Sequence, residues 1–230
     1  CIETLEAFRI MFGKFNGDFL KEHEGFSLLI LASLDAAADE KAFREQGIGA
    51  SGAMRLESEG KRPDGSAVKL AFSLVFARDA LAPGAGFAVC QHHFPENFWN
   101  PNFQKHDNGA TGLAGVVFVA ENPTDHHIFM SAFAGERELQ STSSGIAVAT
   151  PRGEIQIMDP TAYRSHFGID APDVNGGMRL CALRLIAPDL VPVETSLKSG
   201  RVRWSHHMGR IVVAPQEAMG AALIFEQAVP

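Results

Sequence analysis

The strongest constraint in this sequence is one grammar used three times. In each use an apolar run ends at Asp or Asn, a helical stretch follows, and a Gly closes it. Leu28 to Leu34 leads to Asp35, then Ala36 to Gln46 and Gly47. Gly115 to Glu121 leads to Asn122, then Pro123 to Ala134 and Gly135. Ala182 to Pro188 leads to Asp189, then Leu190 to Ser199 and Gly200. Repetition of this kind marks supersecondary units that cannot bury their apolar faces alone. Asp or Asn at the strand end caps a helix by accepting its orphan N–H bonds, Pro123 suits a first helical turn, and Gly stops a helix in a left-handed conformation.

Gly-led strands are expected after each helix: Val68 to Phe76 and Gly86 to His92, then Gly145 to Thr150 and Gly153 to Met158, then Arg201 to Trp204, Gly209 to Ala214 and Gly220 to Glu226. Each unit reads strand, helix, then two or three strands, and Cys1 to Phe8 reads as the last strand of an earlier unit. A half-open sheet with one helix on its face leaves an edge and an apolar face uncovered, so units must pair. The expected architecture is α+β, with tandem βαβββ units pairing into two cupped mixed sheets. The 230 residues sit awkwardly against roughly 150 per domain. Two paired domains, 1–110 with an incomplete first unit and 111–230, resolve that misfit, and the chain is expected to continue before Cys1.

With 46% hydrophobic and 20% charged residues the chain can bury a large core, which excludes disordered classes. A net charge of −7 without any basic stripe argues against nucleic-acid and polybasic membrane partners. The longest apolar runs, Phe26 to Leu34 and Leu113 to Ala120, are about half a bilayer span. Three scattered cysteines, Cys1, Cys90 and Cys181, fit a reducing cytoplasm. The partner implied is a small molecule or another protein.

The stretch Cys90-Gln91-His92, followed by Trp99, His106-Asp107-Asn108-Gly109 and Gly112-Leu113-Ala114-Gly115-Val116-Val117, resembles the joint between second and third units of bacterial glyoxalase-like domain proteins. These belong to the vicinal oxygen chelate superfamily. The closing runs Gly209 to Pro215 and Gly220 to Phe225 also resemble that group's C-terminus. The resemblance implies a cup that binds one divalent ion, Zn, Ni, Mn or Fe, through His and Glu on the first and last strands of its two units. The ion then holds two neighbouring substrate oxygens. This sequence departs from that pattern where the His of each first strand would stand, at Leu28, Gly115 and Ala182. Glu154, Gln156 and Glu226 remain in the second cup, which is expected to be metal-free.

The resemblance therefore puts the metal in the first cup, with Glu3 and His92 as ligands and a further His before Cys1. Adjacent strand residues face opposite ways, so Phe87, Val89, Gln91 and His93 share one face while Ala88, Cys90 and His92 share the other. The resemblance favours His92; capping of a strand end is the plainer role for both histidines. Gln91, Trp99 and Asn108 are candidate ligand-binding residues, and Glu3 or His106 the candidate general base. A turn at His106 to Gly109 held by side-chain to backbone bonds is the competing reading. His126-His127 reads as a solvated helix face and His206-His207 as a wet turn. Gly47 to Gly52 spells GxGxxG after a helix, where the dinucleotide mechanism has no footing.

Two functions follow. One is a glyoxalase-like enzyme of isomerase, lyase or dioxygenase type acting on a vicinal-oxygen substrate. The other is a metal-free protein of the same fold that binds and sequesters a small molecule. A third reading is a protein-interaction or homodimerisation role, for which exposed sheet edges are the warrant.

Overall fold

The computed structural model describes residues 6, 8–62, 65–99, 101–174 and 177–227. It divides into two compact units, one taking in the chain up to Glu22 with Leu28–Asp79 and Gly86–Gln104, the other His23–Ser27, Ala80–Ala85 and Lys105 onward.

In the first unit a π-helical stretch, Arg9–Lys14, runs into helix α1, Phe15–Glu22. Then come β1 (Leu28–Ser33), α2 (Ala36–Glu45), β2 (Met54–Lys61), β3 (Ala67–Ala77) and β4 (Gly86–His92). The sheet order is β1-β4-β3-β2, with β1 parallel to β4 and the other pairs antiparallel. Asp35 starts α2 as expected, its carboxylate accepting from the N–H groups of Ala37 and Ala38, and Gly47 follows α2 with φ +71°. Two expectations fail here. Glu6 and Phe8 are helical, so the described part of Cys1 to Phe8 is not a strand, and Phe8, Met11 and Phe12 instead pack on the sheet face made by Leu28, Leu56, Leu74, Phe76 and Ala88. Strand β2 escaped notice because its sequence, MRLESEGK, is mostly polar and its side chains are mostly outside the core. The opposite face buries Phe43 of α2 together with Ala71, Val75, Phe87 and Val89.

The second unit carries the grammar twice. β5 (Gly112–Ala120) leads through a 3-10 turn, Pro123–His126, into α3 (His127–Ala134). Strands β6 (Gln140–Thr142), β7 (Gly145–Thr150) and β8 (Gly153–Met158) complete the set. After α4 (Pro160–Phe167) come β9 (Met178–Ile186), α5 (Val191–Ser199), β10 (Ser205–His207), β11 (Arg210–Val213) and β12 (Ala222–Glu226). The two sets join as one sheet of order β10-β11-β12-β9-β5-β8-β7-β6, with β5 and β9 antiparallel at its centre. Pairing of βαβββ sets is therefore realised in full here, within an α+β architecture.

Local details correct the sequence reading. Asn122 makes no side-chain cap; it bonds Asp125 and Thr124 instead. Gly200 is not left-handed, and the positive φ falls on Arg201, at 54°. The strand expected at Arg201 to Trp204 instead begins immediately after it and spans Ser205–His207. His126 is buried at the turn before α3, so only His127 lies on a solvated face.

Helix α4 has a legible start, Asp159 capping the N–H of Ala162 with Pro160 in the first turn. Its position is not local information. Ala162, Tyr163 and Phe167 bury themselves against Val117, Met158, Ala182, Val212, Ala222 and Ile224, so the helix covers one face of the eight-stranded sheet. Val193 of α5 packs with Ile211, Val213 and Phe225 on the other. Gly145 opens β7 at φ +132°, and a Cβ there would collide with the carbonyl oxygen of Ile157. Gly145→Ala should cost at least ~2 kcal/mol in urea unfolding, because the strained φ and the backbone clash add.

Candidate functional site

The C-terminal end of β4 carries the most chemically distinctive group in the first unit. In the β4·β3 register His92 stands opposite Phe72, and strand alternation sends its ring to the face shared with Cys90 and Ala88. The His92 ring lies 4.6 Å from the Phe98 ring and 5.9 Å from the Trp99 ring, which meet edge-on at 5.2 Å; Phe72 is 6.3 Å away. Phe98 and Trp99 remain 50% and 49% exposed, far above what large aromatics show in a core.

The local chain builds this platform for clear reasons. Pro95 begins a short helix, Pro95–Phe98, which closes with the Trp99 N–H donating to the Pro95 carbonyl at 2.8 Å. The Asn97 amide donates to the Lys69 carbonyl at 2.9 Å and accepts from Arg62 at 2.9 Å, fixing the helix to β3. Partial burial, and then the neighbouring His93, hold the His92 pKa below the ordinary histidine value, so its ring is neutral near pH 7. Burial pushes the Cys90 thiol up, which keeps it protonated and unreactive.

Gln91 and His93 face the other way. The Gln91 carbonyl oxygen accepts from the Ala36 N–H at 3.1 Å and its amide donates to the Leu34 carbonyl at 2.8 Å, so Gln91 closes the β1–α2 junction. His93 bonds the Ser73 hydroxyl at 2.8 Å. Glu3 lies outside the described residues. His106 and Asn108 belong to the second unit, where the Gly109 N–H donates to the His106 carbonyl and the Ala110 N–H to the Asn108 side chain. That is the turn geometry Asn and Gly favour. Of the sequence candidates, the structure brings together His92 and Trp99. Phe98 and Phe72 were missed, although Phe98 adjoins Trp99 in the same loop.

Among the described residues no three His, Cys, Asp or Glu side chains gather as a metal set. His92 is one donor among aromatic rings, which does not amount to a divalent-ion site.

The second unit organises its carboxylates around a guanidinium. Arg184 of β9 bonds both Glu154 of β8 and Glu226 of β12, and Arg210 donates to Glu226 at 2.9 Å. Arg184 was overlooked, though a charge inside the apolar strand MRLCALRLI is a visible signal. Nearby, the Gln156 carbonyl oxygen and the Tyr163 hydroxyl are buried with no hydrogen-bond partner among the described residues. The end of α4 bonds two other segments. The Ser144 hydroxyl meets His166 at 3.0 Å, and His207 donates to the Ser165 carbonyl at 2.7 Å.

Comparison with known proteins agrees with this architecture. Residues 5–132 match the glyoxalase-like domain family, which is more than half the chain. The chain belongs to that family, within the vicinal oxygen chelate superfamily its sequence resembles. No curated protein sequence matches it significantly. Among solved structures, a hypothetical protein from Staphylococcus aureus shares the fold at a TM-score of 0.60 and 11% identity, over 93% of this chain and 71% of that one. Methylmalonyl-CoA epimerase from Mycobacterium tuberculosis aligns at a TM-score of 0.42 and 15% identity, over 57% of this chain and 97% of its own.

Two predictions come from these groups. Arg184→Ala leaves partly buried Glu154 without its countercharge and Glu226 with Arg210 alone, and should cost about 3 kcal/mol in chemical unfolding, while a fourfold change that removes Arg184, Arg210, Glu154 and Glu226 together should recover most of it. His92 and His166 both have pKa values below 6.5 in the folded chain, each chiefly through burial. Below pH 6.5 the unfolded chain therefore binds more protons than the folded one. Their contribution is fully present above that value and is lost as pH falls through the depressed values. Urea midpoints at neutral and mildly acidic pH should differ less in a His92→Gln, His166→Gln variant than in the parent.

Proposed function

We propose that this chain is a small-molecule protein of the glyoxalase-like type that holds a flat, uncharged ligand at the end of β4, against Phe72, His92, Phe98 and Trp99. The observation that carries the reading is the pair of half-exposed rings, Phe98 and Trp99, meeting edge-on beside a neutral imidazole. Such a group offers a stacking surface and one ring nitrogen to orient a hydroxyl or carbonyl. This favours the metal-free binding function. A reaction at a divalent ion, of isomerase, lyase or dioxygenase type, is the second reading. It draws on the family and on His92 facing away from the helix side, and it would call on Glu3 as the other ligand. The described residues do not by themselves assemble a set of donors for a metal.

Among the described residues no helix is long and apolar enough to cross a membrane. The unpaired Cys90 and Cys181 support a cytoplasmic setting.

The chain has two tryptophans, so a Trp204→Phe background isolates Trp99 fluorescence. Titration with catechol, a planar ring with vicinal oxygens, and with indole, which lacks them, should give saturable quenching. Trp99→Ala, followed by calorimetry, and His92→Ala should each weaken binding about tenfold, the value of one aromatic contact of ~1.4 kcal/mol. Quenching that is linear for both probes would sink the site. Binding of catechol that appears only after adding Mn²⁺ or Fe²⁺, and is lost in Glu3→Ala, would decide for the metal-dependent reading.

A further inference from the structure

On the sheet face that α4 covers, polar side chains of the second unit come in bonded sets. Arg184 bonds Glu154 and Glu226, and Arg210 bonds Glu226 as well. His166 meets the Ser144 hydroxyl, and the Cys181 thiol donates to the Arg179 carbonyl at 3.2 Å. Two atoms stand outside these sets. The Gln156 carbonyl oxygen and the Tyr163 hydroxyl are both buried, and among the described residues neither has a hydrogen-bond partner.

The fold puts these two atoms in one neighbourhood. Alternation along β8 turns Gln156 to the same side as Met158. In the parallel ladder with β5 it stands opposite Val117. Val117, Met158 and Tyr163 belong to one buried cluster, and α4 lies over β5 and β8. Tyr163 is 0% exposed, and desolvation pushes its phenol pKa upward, so the hydroxyl keeps its proton. One atom is thus a donor seeking an acceptor and the other an acceptor seeking a donor. Packing alone requires neither, since Phe and Met would fill the same space with no polar atom to desolvate. A buried polar group that stays unbonded bears its whole desolvation cost, and such groups are normally satisfied by the protein or by ordered water.

We infer that the second unit binds a water molecule beneath α4, which accepts from the Tyr163 hydroxyl and donates to the Gln156 carbonyl oxygen, tying the helix to β8. Water is the ligand because it is the smallest molecule that carries both functions, and because Val117, Met158 and Phe167 around it offer no side-chain group to hold a larger polar molecule. This tie is separate from the Arg184 cluster. It also stands whichever ligand the end of β4 takes.

High-resolution crystallography of the whole chain should show one water within hydrogen-bonding distance of both atoms. Urea unfolding gives a reading whose sign decides. Tyr163→Phe removes only the hydroxyl, and its midpoint should fall, because a bonded group is lost; removing a merely desolvated hydroxyl would raise it. Gln156→Met should lower the midpoint too, and the double variant should lose less than the two single losses added, because the same water is released once. If Gln156→Met misfolds by circular dichroism, nuclear Overhauser transfer from a long-lived water to the Tyr163 ring of the parent chain supplies the second reading. A midpoint raised by Tyr163→Phe, losses that add in full, or no such transfer overturns the proposal. Density larger than water, matched by an organic compound released on denaturation and found by mass spectrometry, overturns it in favour of a hydroxyl-bearing small molecule.

Discussion

The antiparallel joint between β5 and β9 is the interaction on which the second unit depends. Neither βαβββ set could close an apolar face alone, because each ends in a first strand with an open edge. Joining those edges produces one eight-stranded sheet with a continuous face for α4. It also brings Gly115 of β5 opposite Arg184 of β9, with Glu154 beside Gly115 in the parallel ladder. A side chain at position 115 would strike the Glu154 backbone, so the glycine leaves the room that the guanidinium and carboxylates occupy. The charge cluster is thus a product of sheet register. Arg184 stays protonated despite its burial because Glu226 and Glu154 outweigh the desolvation that opposes its charge.

Within the first unit the same set is built around alternation along β4. Gln91 and His92 are neighbours in sequence and lie on opposite faces. One therefore completes the strand-to-helix junction through two backbone bonds, while the other enters a group of aromatic rings. The short helix Pro95–Phe98 converts the end of the strand into a platform, since its bond to the Lys69 carbonyl holds Phe98 and Trp99 over His92. What this group of side chains presents is apolar ring surface and one neutral imidazole. In the second unit, by contrast, Arg184, Glu154, Glu226 and Arg210 are tied to one another, while Tyr163, fully buried, has its phenol pushed upward by desolvation and by Cys181.

Much of this organisation was legible in the sequence and some of it was not. The strands β4, β7 and β8, the cap at Asp35, and the left-handed glycines Gly47 and Gly135 follow from short-range sterics and hydrogen bonding, whereas Asp189 only accepts from the Val191 N–H ahead of a helix capped at Leu190. The opposed faces of Gln91 and His92 follow from strand geometry. β2 stayed hidden because its pattern is polar, and helix at the N-terminus displaced an expected strand because either form offers Phe8 to an apolar face. At the site, Trp99 and His92 were visible as residue types. The rings that complete the group were not, since Phe72 reaches it from another strand.

By itself the sequence determined where the chain turns, caps and alternates, because those properties depend on residues within a few positions of one another. Only the tertiary structure decided which partner each pattern meets: α4 on the sheet face, Arg184 between Glu154 and Glu226, and His92 among Phe72, Phe98 and Trp99. These are non-local contacts, selected by burial of apolar area and by compensation of buried charge across strands distant in sequence. No local pattern encodes them.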